Sequence, residues 1–227
     1  MNSLWMQTNK PLMLTKTQMP LLVAYIICLE MAIYFWAVWT STLDESNFFA
    51  IESQFIFDKS ARNSGRISSF LNVGILLMIG YYGFRKIYLD EKKKNAFRIL
   101  ITLFAINHLV HFFFVFQNFK HHSWELSWLE NLHGFITFTC ILIVPIILWI
   151  ISNLNMMFYA GITLHLFNVS YFIMKTFSSK VQPDKPAYHN QLGIVVTTAA
   201  CLYVLYGFFR EYRLNSAASQ RPDDKDR

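Results

Sequence analysis

The sequence predicts an all-helical (all-α) polytopic membrane protein, a bundle of six transmembrane helices with both ends in the cytoplasm. The chain has 227 residues, of which 54% are hydrophobic and only 15% are charged. That proportion leaves too few charges for the surface of an ordinary soluble protein. Several stretches also reach the length of about 20 apolar residues that crosses a bilayer. The lysines and arginines, finally, are concentrated in a few short segments.

Six runs of apolar residues are long enough to be spans. The first is preceded by Lys10 and Lys16 without a cleavable signal peptide, so we expect it to be retained as a signal anchor. The next five follow at intervals set by polar loops, and the fourth contains Pro145. In chain order the predicted spans are Leu21–Thr40, Ile67–Leu89, Ile99–Phe119, Gly134–Ile151, Leu154–Met174 and Leu192–Phe209.

These spans divide the chain into three parts. Residues 1–20 are predicted to be a cytoplasmic N-terminal segment, and residues 21–209 form the transmembrane domain. Residues 210–227 are polar and are predicted to be a disordered cytoplasmic tail. In the loop after the first span, Phe55 and Ile56 lie among acidic residues at near-helical spacing, which predicts a short interfacial helix that would cover the bundle.

Orientation follows from the basic residues, because short cytoplasmic loops are rich in lysine and arginine. The densest group lies between the second and third predicted spans, and it consists of Arg85, Lys86, Lys92, Lys93, Lys94 and Arg98. That loop is therefore predicted to be cytoplasmic. The protein is predicted to lie in the inner or plasma membrane. The net charge of +6 is then explained by contact with the lipid bilayer and gives no indication of nucleic-acid binding.

Polar residues lie at one depth in three of the predicted spans. Glu30 is about nine residues into the first span, and His108 and His165 are about nine and eleven residues into the third and fifth. At about 1.5 Å per residue these depths agree within a few Å. His111 shares a helix face with His108. Ionisable side chains in the membrane interior are costly, and they usually serve a function.

One hypothesis is a b-type haem, because imidazoles are good axial ligands and a helical bundle accommodates a flat apolar macrocycle. His165 and His108 would be the axial ligands, and His111 would be an alternate ligand or a hydrogen-bond donor. Asn107 and Asn168 would support the ligands by hydrogen bonds, and Glu30 would accept a proton. A small-molecule or electron-transfer partner would complete the redox function.

This arrangement is similar in architecture to six-helix b-type cytochromes and ferric reductases, in which histidine pairs on different helices hold haem. The resemblance implies electron transfer. The present chain departs from that pattern in its histidine spacing and in having no ligand pair on the cytoplasmic side. No family is assigned on this basis.

Three other interpretations remain open. In a proton-coupled transporter of small solutes or ions, Glu30 and the histidines would bind a proton or cation near the midplane, and Pro145 would interrupt the fourth helix. In a lipid-modifying metalloenzyme, His108, His111, His165 and Glu30 would bind a divalent metal such as zinc. In the simplest interpretation, these polar residues hydrogen-bond between helices and hold the bundle together.

Overall fold

The computed structural model describes residues 18–43, 53–121, 131–151, 154–181 and 187–219. Within these ranges the chain forms helices and no strands, as predicted. The seven helices are α1 (Gln18–Leu43), α2 (Ser53–Tyr82), α3 (Phe84–Leu89), α4 (Glu91–His121), α5 (Leu132–Ile150), α6 (Met156–Ser178) and α7 (Tyr188–Ser219).

Five of the described helices are long and apolar enough to cross a membrane. They are α1, α4, α5, α6 and α7, and each contains one of the predicted spans or most of it. Their outer faces support this assignment, since large apolar side chains such as Phe35, Trp36 and Trp39 are more than 60% exposed. A soluble protein rarely leaves so much apolar surface open to water, whereas lipid accommodates it. A helical membrane protein is therefore the supported class.

The second predicted span differs from the structure at both ends. The helix begins at Ser53, fourteen residues before Ile67, and it breaks at Gly83. Gly83 has a φ of 75°, a conformation that L side chains rarely adopt, so the chain turns there and continues as α3. The prediction of a separate interfacial helix was wrong for its described part, because Phe55 and Ile56 lie in the first turn of α2. Residues 44–52 lie outside the described ranges.

The long helix α2 lies at the centre of the bundle, where it contacts α1, α4, α6 and α7. Ile75, Leu76 and Ile79 on α2 are almost completely buried, and they pack in a core with residues of α4, α5, α6 and α7. Against α7 the backbones meet closely. A Cβ on Gly207 would lie 2.6 Å from the carbonyl oxygen of Gly80, so only glycine fits at that crossing.

One end of the bundle carries the main cluster of basic residues. Arg210 on α7 donates a hydrogen bond to the carbonyl oxygen of Tyr81 at 2.7 Å, which brings the end of α7 beside the lysine-rich and arginine-rich segment around α3. We call this the basic end. A cavity opens at the opposite end, where α2 and α5 begin and where α4 and α6 finish. We call this the cavity end.

Two further expectations are modified. Helix α7 continues to Ser219, so the first ten residues of the segment 210–227 are helical, and residues 220–227 lie outside the described ranges. Helix α5 continues through Pro145 to Ile150, so this proline does not interrupt the helix. Membrane helices accommodate proline where neighbouring helices surround it, and Pro145 is buried.

Candidate functional site

A stripe of small polar residues runs along the inner face of α2. Ser60, Ser64, Ser68 and Asn72 follow each other at intervals of four residues, and each is at most 3% exposed. That interval places them on one side of the helix, one above the other. This stripe was not predicted, although the spacing of four is visible in the sequence. It supplies the hydrogen-bonding partners of the predicted site.

The carboxyl group of Glu30 on α1 is 2% exposed and faces this stripe. Its Oε1 atom accepts a hydrogen bond from Ser64 Oγ at 2.9 Å. Its Oε2 atom is buried and has no hydrogen-bond partner among the described residues. Glu30 is thus held at one oxygen by a neutral donor, and its second oxygen remains available for a proton or another donor.

Asn107 on α4 completes the surroundings of Glu30. With its amide nitrogen turned towards the carboxyl group, it donates to Glu30 Oε1 at 2.7 Å, and its oxygen accepts from Ser68 Oγ at 2.8 Å. The reverse orientation would place two acceptor oxygens, one from each residue, against each other, so the first orientation is the favourable one. Asn107 therefore links the first, second and fourth helices through Glu30 and Ser68.

His108 extends the same network. Its Nδ1 lies 3.3 Å from Ser68 Oγ. Because the Ser68 hydroxyl donates to Asn107, the matching tautomer of His108 carries its proton on Nδ1 and donates to Ser68. Donors then point in one direction, from His108 through Ser68 and Asn107 to Glu30. The imidazole is also packed against aromatic rings, with ring centroids 5.5 Å from Phe104 and 5.9 Å from Phe138.

A cavity of about 570 Å³ lies between α2, α4, α5 and α6 at the cavity end. Its wall includes His108 and His111, and it is otherwise largely aromatic and aliphatic. The aromatic residues of the wall are Phe112, Phe119, Phe135, Phe138, Phe172 and Phe177. The size lies within the range of about 300–1,000 Å³ that is usual for small-molecule sites.

Charged residues surround the mouth of this cavity. Asp58 and Arg62 on α2 form an ion pair at 2.5 Å, and their side chains are 40% and 46% exposed, so the cavity opens to solvent there. Lys180, which follows α6, also contributes to the lining. The surrounding protein partly desolvates its ammonium group, and this burial, together with the positive charge of Arg62, lowers the pKa of Lys180. The mouth was not predicted from the sequence.

His111 lies flat against α2 beside Gly65. A Cβ at position 65 would be 3.0 Å from His111 Cε1, so the glycine leaves the room that this ring occupies. The ring centroid of His111 is 5.4 Å from that of His108. Its Nδ1 atom is buried without a hydrogen-bond partner among the described residues. The two histidines of α4 thus form one continuous part of the cavity wall.

His165 and Asn168 on α6 are not part of this network. Asn168 donates to Thr137 Oγ1 at 2.9 Å, and its Oδ1 lies 3.0 Å from Nε2 of His133, so it links α6 to α5. His165 lies one helical turn before Val169, which lines the cavity, but His165 itself is not in the lining. Its Nε2 is buried without a partner within the described ranges.

The predicted cofactors differ in what the described residues say about them. Within the described part of the chain, no three His, Cys, Asp or Glu side chains are grouped so that they could hold a metal ion. For haem b, the predicted axial pair is His165 with His108 or His111, and the cavity lining includes His108 and His111 but not His165. Binding of haem b or of a divalent metal therefore stays an untested prediction.

The arrangement supports the packing interpretation in part, since Glu30, Asn107, His108 and Asn168 all lie in hydrogen bonds between helices. Packing alone does not require the hydrogen-bond network to reach from a buried carboxyl group to the wall of an open cavity, as this network does. Comparison with known proteins adds no family to this description: no protein-family model, no curated protein and no solved structure matches the chain.

Proposed function

We propose that this protein binds a small molecule in the cavity between α2, α4, α5 and α6 and couples that binding to the protonation of Glu30, as a proton-coupled carrier of small solutes does. The observation that supports this proposal is the hydrogen-bonded connection between the cavity wall and the buried carboxyl group. It runs from His108 through Ser68 and Asn107 to Glu30.

The cavity provides the binding part of this function. Its aromatic wall favours an apolar ligand surface, and the imidazoles of His108 and His111 offer polar atoms deep in the wall. Ligand sites typically combine a mainly apolar lining with a few polar groups of this kind. A ligand that hydrogen-bonds to His108 would act directly on the first member of the network.

Glu30 provides the proton part. When it is ionised, Ser64 and Asn107 donate to Oε1, and neither donor carries a positive charge to balance the carboxylate. An ionised acid at the centre of a membrane helix costs about 2.5–3.5 kcal/mol on insertion scales, so a proton on Oε2 relieves a real cost. Protonation also makes the Glu30 carboxyl group a weaker acceptor for Asn107, which is the last donor of the series that begins at His108.

The coupling is electrostatic and geometric and does not need a continuous proton wire. The Asn107 amide accepts one hydrogen bond and donates another, but it does not exchange its protons readily enough to pass one along. A change of charge at Glu30 instead alters how strongly Asn107, Ser68 and His108 are held. Ligand binding at His108 and proton binding at Glu30 therefore influence each other to the same degree, as thermodynamic linkage requires.

The coupling is tested by measuring proton uptake or release when probe molecules with an apolar chain are added to the purified protein in a weakly buffered solution. The probes form a series with one dodecyl chain and an anionic, neutral or cationic headgroup. We expect at least one of them to bind with a change in bound protons. Glu30→Gln should keep the binding and abolish the proton change, whereas Glu211→Gln, a glutamate at the basic end, should alter neither. Binding without any proton change in the wild type would contradict the coupling.

Occupancy of the cavity has its own test. A Cβ added at Gly134, which lines the cavity, would meet no atom within 4 Å, so Gly134→Trp places an indole in open space beside the wall. Gly161 on α6 is equally unobstructed but does not line the cavity, so Gly161→Trp is its matched control. We expect only Gly134→Trp to prevent probe binding.

We further propose six crossings, with both ends in the cytoplasm and α2 as the additional span, in the inner or plasma membrane. The clustering of lysine and arginine at the basic end supports this orientation. In a variant whose three cysteines are replaced by alanine, Ser46→Cys and Asp90→Cys should react with an impermeant maleimide from opposite sides. Labelling of both from one side would mean that α2 does not cross.

Haem binding is the second hypothesis carried over from the sequence, and one spectrum decides it. A protein expressed with adequate haem supply should show a Soret band and sharpened bands on reduction if haem b is bound, and His165→Ala should remove them. A featureless spectrum would refute the haem hypothesis and leave the cavity, which His108 and His111 line and His165 does not, to another ligand.

A further inference from the structure

Among the residues that the structure describes, the mouth of the cavity has an excess of positive charge. Arg62 and Lys180 belong to its lining, and the charge of Arg66, one turn along α2 from Arg62, also acts on Lys180. Asp58 is the acidic residue among the described groups there, and Arg62 already pairs with it at 2.5 Å. Among the described residues of the lining, two cations thus face one carboxylate, and the charge of Arg66 adds to theirs. Like charges held together repel each other, and an anion bound between them relieves that repulsion.

The charge at the mouth and the apolar wall lie at different depths of one cavity. Lining residues on α4 extend from His108 to Phe119, a length of about 16 Å at 1.5 Å per residue. Asp58, Arg62 and Lys180 lie at the open end, and the aromatic rings of Phe112, Phe138 and Phe172 line the wall below it. A ligand that fills this space needs an elongated apolar body and one charged end.

We propose that the ligand is an amphipathic anion, whose carboxylate or phosphate headgroup is bound by Arg62 and Lys180 and whose apolar chain lies along the aromatic wall towards His108 and His111. This inference rests on the proposed function, because it names the class of molecule that the cavity binds. Arginine and lysine are the usual partners of both headgroups. Each methylene group that enters the wall adds hydrophobic stabilisation to the complex.

A cation fits this site poorly, since the carboxylate that would attract it is already paired with Arg62. A neutral molecule would gain from the aromatic wall alone and would leave the repulsion between Arg62 and Lys180 unrelieved. The lowered pKa of Lys180 is consistent with that repulsion, although the larger cause is partial burial of the ammonium group. Selection between ligands is therefore expected to depend on the headgroup.

The test compares dodecanoate, dodecyl phosphate and dodecanol, which share one alkyl chain. Binding is measured by titration calorimetry against the full-length protein in nanodiscs of zwitterionic lipid, and empty nanodiscs provide the correction for partition into lipid. We expect both anions to bind at least tenfold more tightly than dodecanol. The tighter of the two anions distinguishes a carboxylate ligand from a phosphate ligand, such as a lipid headgroup.

Two substitutions at the mouth should act in opposite directions. Lys180→Gln should weaken both anions at least fivefold, and Asp58→Asn, which removes the competing carboxylate, should strengthen them severalfold. Lys175→Gln changes an exposed lysine on α6 that does not line the cavity, so it should leave all affinities unchanged. Dodecanol binding should respond to none of the three.

The outcomes separate this inference from the proposed function. If dodecanol binds as tightly as the anions, and Gly134→Trp blocks all three, the cavity is a binding site but the anion inference is wrong. If Lys180→Gln and Asp58→Asn shift the anions in the same direction, the proposed role of the mouth is wrong. If Gly134→Trp prevents the binding of none of the three probes, both the inference and the binding part of the proposed function are wrong.

Discussion

Replacing Glu30 distinguishes its charge from its hydrogen bonds. Glu30→Gln preserves an oxygen at the Oε1 position, so Ser64 and Asn107 keep their acceptor. The new amide nitrogen takes the place of Oε2, which has no partner among the described residues, so no bond is lost there. Its N–H groups then lack an acceptor, which costs about 1–3 kcal/mol, no more than the cost of about 2.5–3.5 kcal/mol for burying a charge. Since the variant also removes the cost of burying a charge, its stability should equal or exceed that of the wild type.

Glu30→Ala should behave differently, because it leaves two buried donors without an acceptor. A buried unsatisfied donor costs about 1–3 kcal/mol, which gives about 2–6 kcal/mol for the pair. The lower half of that range applies, since the Asn107 amide can rotate and donate to Ser68 Oγ at 2.8 Å instead. We expect a loss of about 2–3 kcal/mol, or roughly 4–12 °C in Tm for a chain of this size.

The measurement is thermal unfolding of the detergent-purified protein, followed by tryptophan fluorescence at constant detergent and salt concentration. Glu30→Gln should unfold at or above the wild-type temperature, and Glu30→Ala should unfold well below it. If Glu30→Gln is destabilised as much as Glu30→Ala, the charge itself stabilises the bundle, and our account of Glu30 as an acceptor from neutral donors is refuted.

Three further outcomes follow from particular contacts. Gly207→Ala should destabilise the bundle by about 1–3 kcal/mol in the same unfolding assay, because its Cβ would meet the α2 backbone at 2.6 Å. Gly161→Ala is the control: its Cβ would meet no atom within 4 Å, so it should be neutral or stabilising by up to about 1 kcal/mol. Equal effects of the two substitutions would contradict the close crossing. Gly83→Ala should lower the free energy of unfolding by about 1–2 kcal/mol because of the φ of 75° at this position. The side chain of Glu211 would also meet the new Cβ, but the destabilisation should persist when Glu211 is changed to alanine as well. Full rescue by that second change would show that crowding was the cause. Dodecanoate affinity should be full at pH values where its own carboxylate is ionised and Lys180 is protonated, and it should fall as the pH rises through the lowered pKa of Lys180, below the range in which an ordinary lysine loses its charge. Calorimetry over a pH series measures this, and an affinity that is flat up to the ordinary range would exclude Lys180 from the site.

The positions of most helices could be predicted because a bilayer imposes a length and a composition on each crossing. Five described helices agree with predicted spans for that reason. The second span was placed less well, since α2 is buried by protein on several sides and can carry the serines and Asn72 that hydropathy counts against a span. The break at Gly83 depends on a backbone conformation that hydropathy does not measure.

Depth along a helix predicted part of the site. Asn107 contacts Glu30, and His108 is connected to both through Ser68, but Asn168 bonds to Thr137 and His133 instead. Depth gives the height of a residue in the membrane, whereas contact also depends on which neighbour its helix face meets. That second quantity is decided by how the helices are arranged around α2.

From the sequence alone, the helical membrane class of the protein could be determined, because it depends on the composition of single segments. The cavity with its charged mouth, the direction of the hydrogen bonds towards Glu30 and the separation of His165 from the cavity wall were decided only by the tertiary structure. The physical reason is that these features arise between helices that are distant in the chain. Ser64 and Asn107 are 34 and 77 residues away from Glu30, and only packing brings the three together.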